Sequence, residues 1–153
     1  MELEKITIDA FSVIGRLGST NDGQGFIRRL WKDADMNFIQ AREFAKKKED
    51  GSLVGLWGLM SDFSMSFNPW EDNFSKGYYL AGFECLEDAI APVGWTRWDV
   101  PKMTYFKVKN EDAKFSEVIE YFKENNIEMV AAAFDYTDTS DMKNYTLYPI
   151  ERD

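Results

Sequence analysis

Apolar residues alternate at Ile6 and Ile8 and continue through Phe11, Val13 and Ile14. Their β-branched content predicts a strand over residues 4–16. Residues 18–23 are small and polar and read as a turn. Ile27, Leu30, Trp31 and Ala34 then recur at helical spacing, and a second, more polar helix is predicted over 37–48. Its end is marked by Lys46, Lys47 and Lys48, which suit the negative end of a helix, and by Gly51. The nearly continuous apolar run 53–60 predicts a buried strand, with Gly55 and Gly58 permitting close approach. A long loop over 61–76, a strand over 77–85 and a second long loop over 87–100 follow.

From Pro101 the order of elements starts again. Residues 102–109 form a strand, and Asp112 can cap a helix whose Phe115, Val118, Ile119 and Phe122 make an apolar stripe. Strands over 128–136 and 144–151 close the chain, with a polar turn between them. This gives an α+β chain of two β-α-β-β repeats, at about 1–86 and 99–153, in one domain. Two such halves pair through an antiparallel sheet with helices on one face. A groove between the halves on the other face is the expected place for a ligand.

Composition narrows the chemistry. At 153 residues with 16% aromatic content, the chain has ample material for one core. The aromatic share fits a sheet-rich core and also an aromatic-lined pocket. The net charge of −9 repels phosphate backbones, so no direct nucleic-acid binding is expected. No apolar run is long enough to span a bilayer and no secretory signal precedes the first strand, so the cytoplasm is the expected location. The single cysteine, Cys85, excludes an internal disulfide. The absence of histidine removes a Ser-His-Asp triad, a Cys-His pair and any histidine metal site. Acid–base chemistry would fall to carboxylates, tyrosines or lysines, and no metal or cofactor is expected.

The alternation singles out particular side chains. Asp135 shares a face with Ala131 and Ala133, whose small side chains leave space above the sheet, while Phe134 and Tyr136 take the other face. A carboxylate there is costly unless paired, and a ligand cation could be the partner. Trp57 sits between glycines and reads either as core packing or as a ligand platform. Trp95 and Trp98 fall in the loop 87–100, as site residues or as a lid on the sheet. A cation over such a ring gains roughly 0.5–2 kcal/mol. Tyr79, Tyr105, Tyr136 and Tyr145 are strand tyrosines whose hydroxyls can orient a polar ligand atom. Phe106 and Val108 are expected to meet the helices, and Tyr105 the cleft. Glu84 and Asp135 are one carboxylate from each half, able to do hydrolytic acid–base work if their environments separate their pKa values.

Five segments together resemble the GyrI-like, or bacterial transcription-activator effector-binding, family. They are FSVIG from Phe11; YLAGFE from Tyr79 with Pro92-Val93-Gly94-Trp95; VPKMTYF from Val100; Phe134-Asp135-Tyr136; and YTLYPI from Tyr145. Each is weak alone; their order and spacing carry the resemblance, which spans nearly the whole chain. It is similar in particular to stand-alone and integron-associated members, since no helix-turn-helix segment is found. The resemblance implies a tandem pseudo-symmetric fold with a central cleft for lipophilic, often cationic compounds, in which an acidic residue meets the positive charge. Asp135 stands where many relatives carry glutamate, and Tyr145 where some place a second acid.

The function expected from these readings is a small-molecule binding module for hydrophobic aromatic, cationic compounds, in sensing or sequestration. Its ligand site is assigned to Asp135, Trp57, Trp95, Trp98, Tyr79, Tyr105, Tyr136, Tyr145 and Glu84. Two alternatives follow from the resemblance: a cleft hydrolase of cyclopropane-containing toxins, with Asp135 as acid or base, and a DNA gyrase inhibitor-like module with a protein partner. A monomer or weak dimer is expected.

Overall fold

The computed structural model describes residues 3–152. Its strands are β1 (Glu4–Ile8), β2 (Phe11–Ser19), β3 (Leu56–Ser61), β4 (Tyr78–Glu84), β5 (Thr96–Val100), β6 (Met103–Lys109), β7 (Phe134–Asp138) and β8 (Lys143–Arg152). The helices are α1 (Phe26–Met36), the single turn α2 (Glu71–Phe74) and α3 (Phe115–Glu124). All strand pairs are antiparallel, in one sheet of order β1-β6-β8-β7-β3-β4-β2-β5.

That order contains two matching halves. Outward from the centre, β3-β4-β2-β5 lies on one side and β7-β8-β6-β1 on the other. Each half is a β-α-β-β unit, with α1 between β2 and β3 and α3 between β6 and β7. The outermost strands are exchanged. β1 leads into β2 through Asp9 and Ala10 but pairs with β6, and β5 leads into β6 through Pro101 and Lys102 but pairs with β2.

This exchange forces the sheet to curl. In a flat sheet β1 and β2 would stand six strand spacings apart, about 29 Å. The link from Ile8 to Phe11 is three Cα steps and reaches at most about 11 Å. The two ends of the sheet must therefore approach each other, and its concave face closes into a core. Val13, Trp57, Leu59, Leu80, Trp98, Val100, Met103, Tyr105, Phe134 and Leu147 fill it. Phe67, from the loop after β3, packs edge-on against Trp98 and Phe134 at 5.8 and 6.2 Å.

The convex face carries the helices. α1 packs on β2 and β4, with Phe26, Ile27, Leu30 and Trp31 against Tyr79 and Ala81. α3 sets Val118 and Phe122 against Phe106, Val108 and Tyr148, as the alternation in β6 predicts. The central strands β3 and β7 lie between the two helices. The open groove is therefore on the helix-bearing face; its expected place on the opposite face is occupied by the core.

Several predicted elements differ. Residues 4–16 are two strands, because their two parts pair with different neighbours. The helix expected over 37–48 is two 3₁₀ turns, Phe38–Gln40 and Arg42–Phe44. Phe38, Ala41 and Phe44 recur every third residue, the 3₁₀ period, and all three pack into one cluster. The chain then leaves helical geometry because Lys46 N–H bonds the Glu84 carbonyl at 2.9 Å. The last five residues of the expected loop 87–100 are β5, which carries Trp98 into the core. The loop 61–76 contains α2, a left-handed turn with Asp72, Asn73 and Phe74 at φ 54°, 58° and 65°. The strand expected over 128–136 begins only at Phe134. α3 starts after Lys114 rather than at Asp112, and the Glu117 carboxylate accepts the Lys114 N–H at 3.1 Å. No helix among the described residues is long and apolar enough to cross a membrane.

Candidate functional site

The groove between the helices is built around one missing side chain. Gly58 on β3 stands opposite Asp135 on β7. A Cβ at Gly58 would overlap the Tyr79 hydroxyl and lie 3.0 Å from the Asp135 Cβ. Because position 58 is glycine, the Tyr79 ring can cross β3 from β4 and reach the carboxylate. The Tyr79 hydroxyl donates to Asp135 Oδ2 at 2.8 Å, and Trp31 Nε1–H of α1 donates to the Tyr79 oxygen at 3.0 Å. A relay of Trp31, Tyr79 and Asp135 thus ties α1, β4 and β7 together beneath the groove.

Asp135 has no basic partner among the described residues: the salt bridges all lie elsewhere. Burial pushes its carboxyl above the ordinary 3.8, and the Tyr79 hydrogen bond opposes that rise only in part. Burial, and then the Asp135 charge, hold the Tyr79 hydroxyl well above the ordinary tyrosine value. The pair is therefore a carboxyl group whose charged form burial disfavours, with one donor, and a firmly protonated phenol.

Above the pair lies an open cavity of about 450 Å³, within the usual range for small-molecule pockets. Ile27 and Trp31 form one wall, and Leu56, Tyr79 and Asp135 lie between the helices. Tyr136, Thr137, Tyr145 and the exposed Met142 form the far side. A second cavity of about 280 Å³ adjoins it and shares Trp31 and Leu56 as wall residues. Ala34, Phe38, Leu53, Phe83 and Trp95 complete that apolar chamber, and Asp35 is its single charged residue.

Of the residues singled out from sequence, the structure brings Asp135 and Tyr79 together in the cleft and Trp95 to the adjoining chamber; Tyr136 and Tyr145 border the cavity, but their rings pack on the concave side of the sheet. It does not bring Trp57, Trp98, Tyr105 or Glu84 to Asp135. Trp57 packs on the concave face, its ring 4.5 Å from Phe11 and 4.6 Å from Tyr136. Trp98 and Tyr105 belong to the same core; the Tyr105 hydroxyl is buried without a partner. Alternation correctly set Tyr105 opposite Phe106 and Val108, but that face closes instead of opening as the cleft. Glu84 stands opposite Val13 on the concave side, accepts from Trp57 Nε1 at 3.3 Å and pairs with Lys46 at 3.6 Å. The two carboxylates thus lie on opposite faces of the sheet. Trp31 was visible in the sequence only as one residue of an apolar stripe, alike in spacing to Ile27 and Leu30.

Two of the candidate rings already hold internal cations. The Arg16 guanidinium lies 4.5 Å over Trp95, kept there by Asp33 at 3.2 Å. Lys107 Nζ lies 4.3 Å over Tyr145. A ligand cation would have to displace these charges to use the same faces. Trp95→Leu and Tyr145→Leu are therefore expected to weaken aryl-cation binding by less than about tenfold, a small share of the range for interface residues. Glu84→Gln should leave it within about twofold. Isothermal titration of the three variants checks this; a larger loss in Glu84→Gln would mean that the concave face takes part.

No protein-family model and no curated protein matches this chain. Solved structures do match. SAV2435, determined with tetraphenylphosphonium bound, is 16% identical with a TM-score of 0.67, over 99% of this chain and 94% of that one. An integron cassette protein from the mobile metagenome of Vibrio cholerae is 15% identical with a TM-score of 0.54, over 98% of this chain and 95% of that one. EcmrR, determined in a complex with DNA, is 9% identical with a TM-score of 0.64; the match covers 99% of this chain and 58% of EcmrR. At these identities the likeness is one of fold alone, shared along nearly the whole of this chain.

Proposed function

We propose that the groove between α1 and α3 binds a lipophilic aromatic cation, for sensing or sequestration, with Asp135 supplying the counter-charge. The observation that carries this reading is the recessed Asp135 carboxylate, which has one neutral donor, no basic partner among the described residues, and Trp31 and Tyr79 beside it. Leaving such a group unpaired is costly, and a cation entering the groove removes that cost. The tetraphenylphosphonium found on SAV2435 is a compound of the same chemistry and supports the choice of probe. A proton-transfer role for the pair is less well supported. Burial and the adjacent Asp135 charge keep the Tyr79 proton in place, and Glu84 lies on the opposite face of the sheet from Asp135.

The reading carries a pH signature. The bound cation favours the ionised carboxylate. Affinity should therefore be full above the raised folded-state pKa of Asp135 and fall as pH drops through it, in a window above 3.8. The free protein should show the opposite trend. A carboxyl whose pKa is raised on folding costs stability above that pKa and nothing below the unfolded value, so its contribution improves as pH falls. Titrations with tetraphenylphosphonium across this range, with circular dichroism to confirm folding, test both. An affinity independent of pH in the folded protein would show that Asp135 is not the anchor.

A further inference from the structure

Resting on that reading, we infer that the site has two compartments and that its ligand is an aryl cation carrying an apolar chain. The head occupies the cavity over Asp135, and the chain lies in the adjoining chamber walled by Ala34, Phe38, Leu53 and Trp95. Three observations support this. The two cavities share Trp31 and Leu56, so a ligand seated against the head wall is already in contact with the partition. Trp31 is anchored by its indole N–H on the Tyr79 oxygen and lines both compartments. Finally, α1 places Ala34 between Trp31 and Phe38, and this small residue leaves open the space that a larger side chain would fill.

The two compartments differ in chemistry. The first has Asp135 at its floor and hydroxyl and amide groups at its rim. The second offers a nearly unbroken apolar lining, and its tryptophan face is already neutralised as a cation platform by Arg16. A second charged end would find no buried carboxylate there, since Asp35 is exposed at the chamber wall. The geometry therefore favours one charge and one apolar extension over a compact cation alone.

The test compares methyltriphenylphosphonium with hexyltriphenylphosphonium by isothermal titration, in the wild type and in two variants that fill the chamber, Ala34→Leu and Leu53→Trp. Full burial of a methylene is worth roughly fourfold in affinity. Even with partial burial, the hexyl compound should bind wild type at least about 30-fold more tightly than the methyl compound. Each filled variant should erase most of that gain while binding the methyl compound within about threefold of wild type, which also reports that the head compartment is intact. If the methyl compound binds and the hexyl chain adds nothing, the second compartment is refuted and the cation reading stands. A gain that survives in both filled variants places the chain elsewhere and also refutes it. If neither compound binds, both readings fail together.

Discussion

Asp135→Asn is expected to weaken binding of tetraphenylphosphonium by roughly 30- to 1000-fold, the equivalent of about 2–4 kcal/mol for losing one side of a partly buried charge pair. The substitution keeps the shape of the side chain. The Asn carbonyl can still accept the Tyr79 hydroxyl, so the Trp31–Tyr79 relay and the groove should persist. A neutral aryl compound, triphenylphosphine oxide, should therefore bind the variant as it binds wild type. The unliganded variant should be at least as stable as wild type, because it removes a carboxylate that burial disfavours and no basic group stabilises. Calorimetric titration with both compounds, together with thermal denaturation, separates these terms. Equal loss for the charged and neutral compounds would mean that Asp135 supports the shape of the groove instead of its charge preference.

Gly58→Ala should damage both the stability of the protein and its groove. The new Cβ would overlap the Tyr79 hydroxyl, so Tyr79 must move away from Asp135. Its ring is fully buried under α1, with Phe26 edge-on at 6.4 Å. Overpacking costs about 1–3 kcal/mol. Pulling the hydroxyl off Asp135 and Trp31 adds about 1–3 kcal/mol for the stranded groups. A total loss of about 2–6 kcal/mol in urea denaturation is expected, with loss of cation binding in the fraction that remains folded. Tyr79→Phe provides the comparison, since it breaks the relay without overpacking and should cost less. Wild-type stability in Gly58→Ala would contradict the crossing of Tyr79 over β3.

Much of the fold was legible in local pattern. The stripe of Ile27, Leu30, Trp31 and Ala34 and that of Phe115, Val118, Ile119 and Phe122 located both long helices. The repeat of element order anticipated the two halves of the sheet. The exchange of β1 and β5 was hidden, because alternation does not reveal a strand's partner. Alternation also placed Asp135 and Tyr136 on opposite faces correctly. It could not say which face would stay open, since that depends on the curl imposed by the short β1–β2 and β5–β6 links.

The site was legible in its charge and obscure in its contacts. Asp135 stood out as an acid among alanines, but its donor Tyr79 lies 56 residues away and meets it only because Gly58 lets the ring cross a strand. Trp95 read as a cation platform and Tyr145 as a hydroxyl able to orient a polar ligand atom. Only the folded chain reveals that Arg16 and Lys107 lie over them. Trp31 makes the opposite point: nothing in its spacing marks it out, yet it orients Tyr79 and walls both cavities.

The central claim is that the groove selects an aromatic cation by charge as well as by shape. Tetraphenylphosphonium and tetraphenylborate share one shape and carry opposite charges. A tryptophan-fluorescence titration of the wild-type protein with each, at neutral pH, puts the question directly, with Trp31 in the groove as a reporter. Saturable quenching by the cation is expected at micromolar concentrations, and none by the anion below about 1 mM, a level worth only about −4 kcal/mol. Equal binding of the two ions, or no binding of the cation below that level, would contradict the claim.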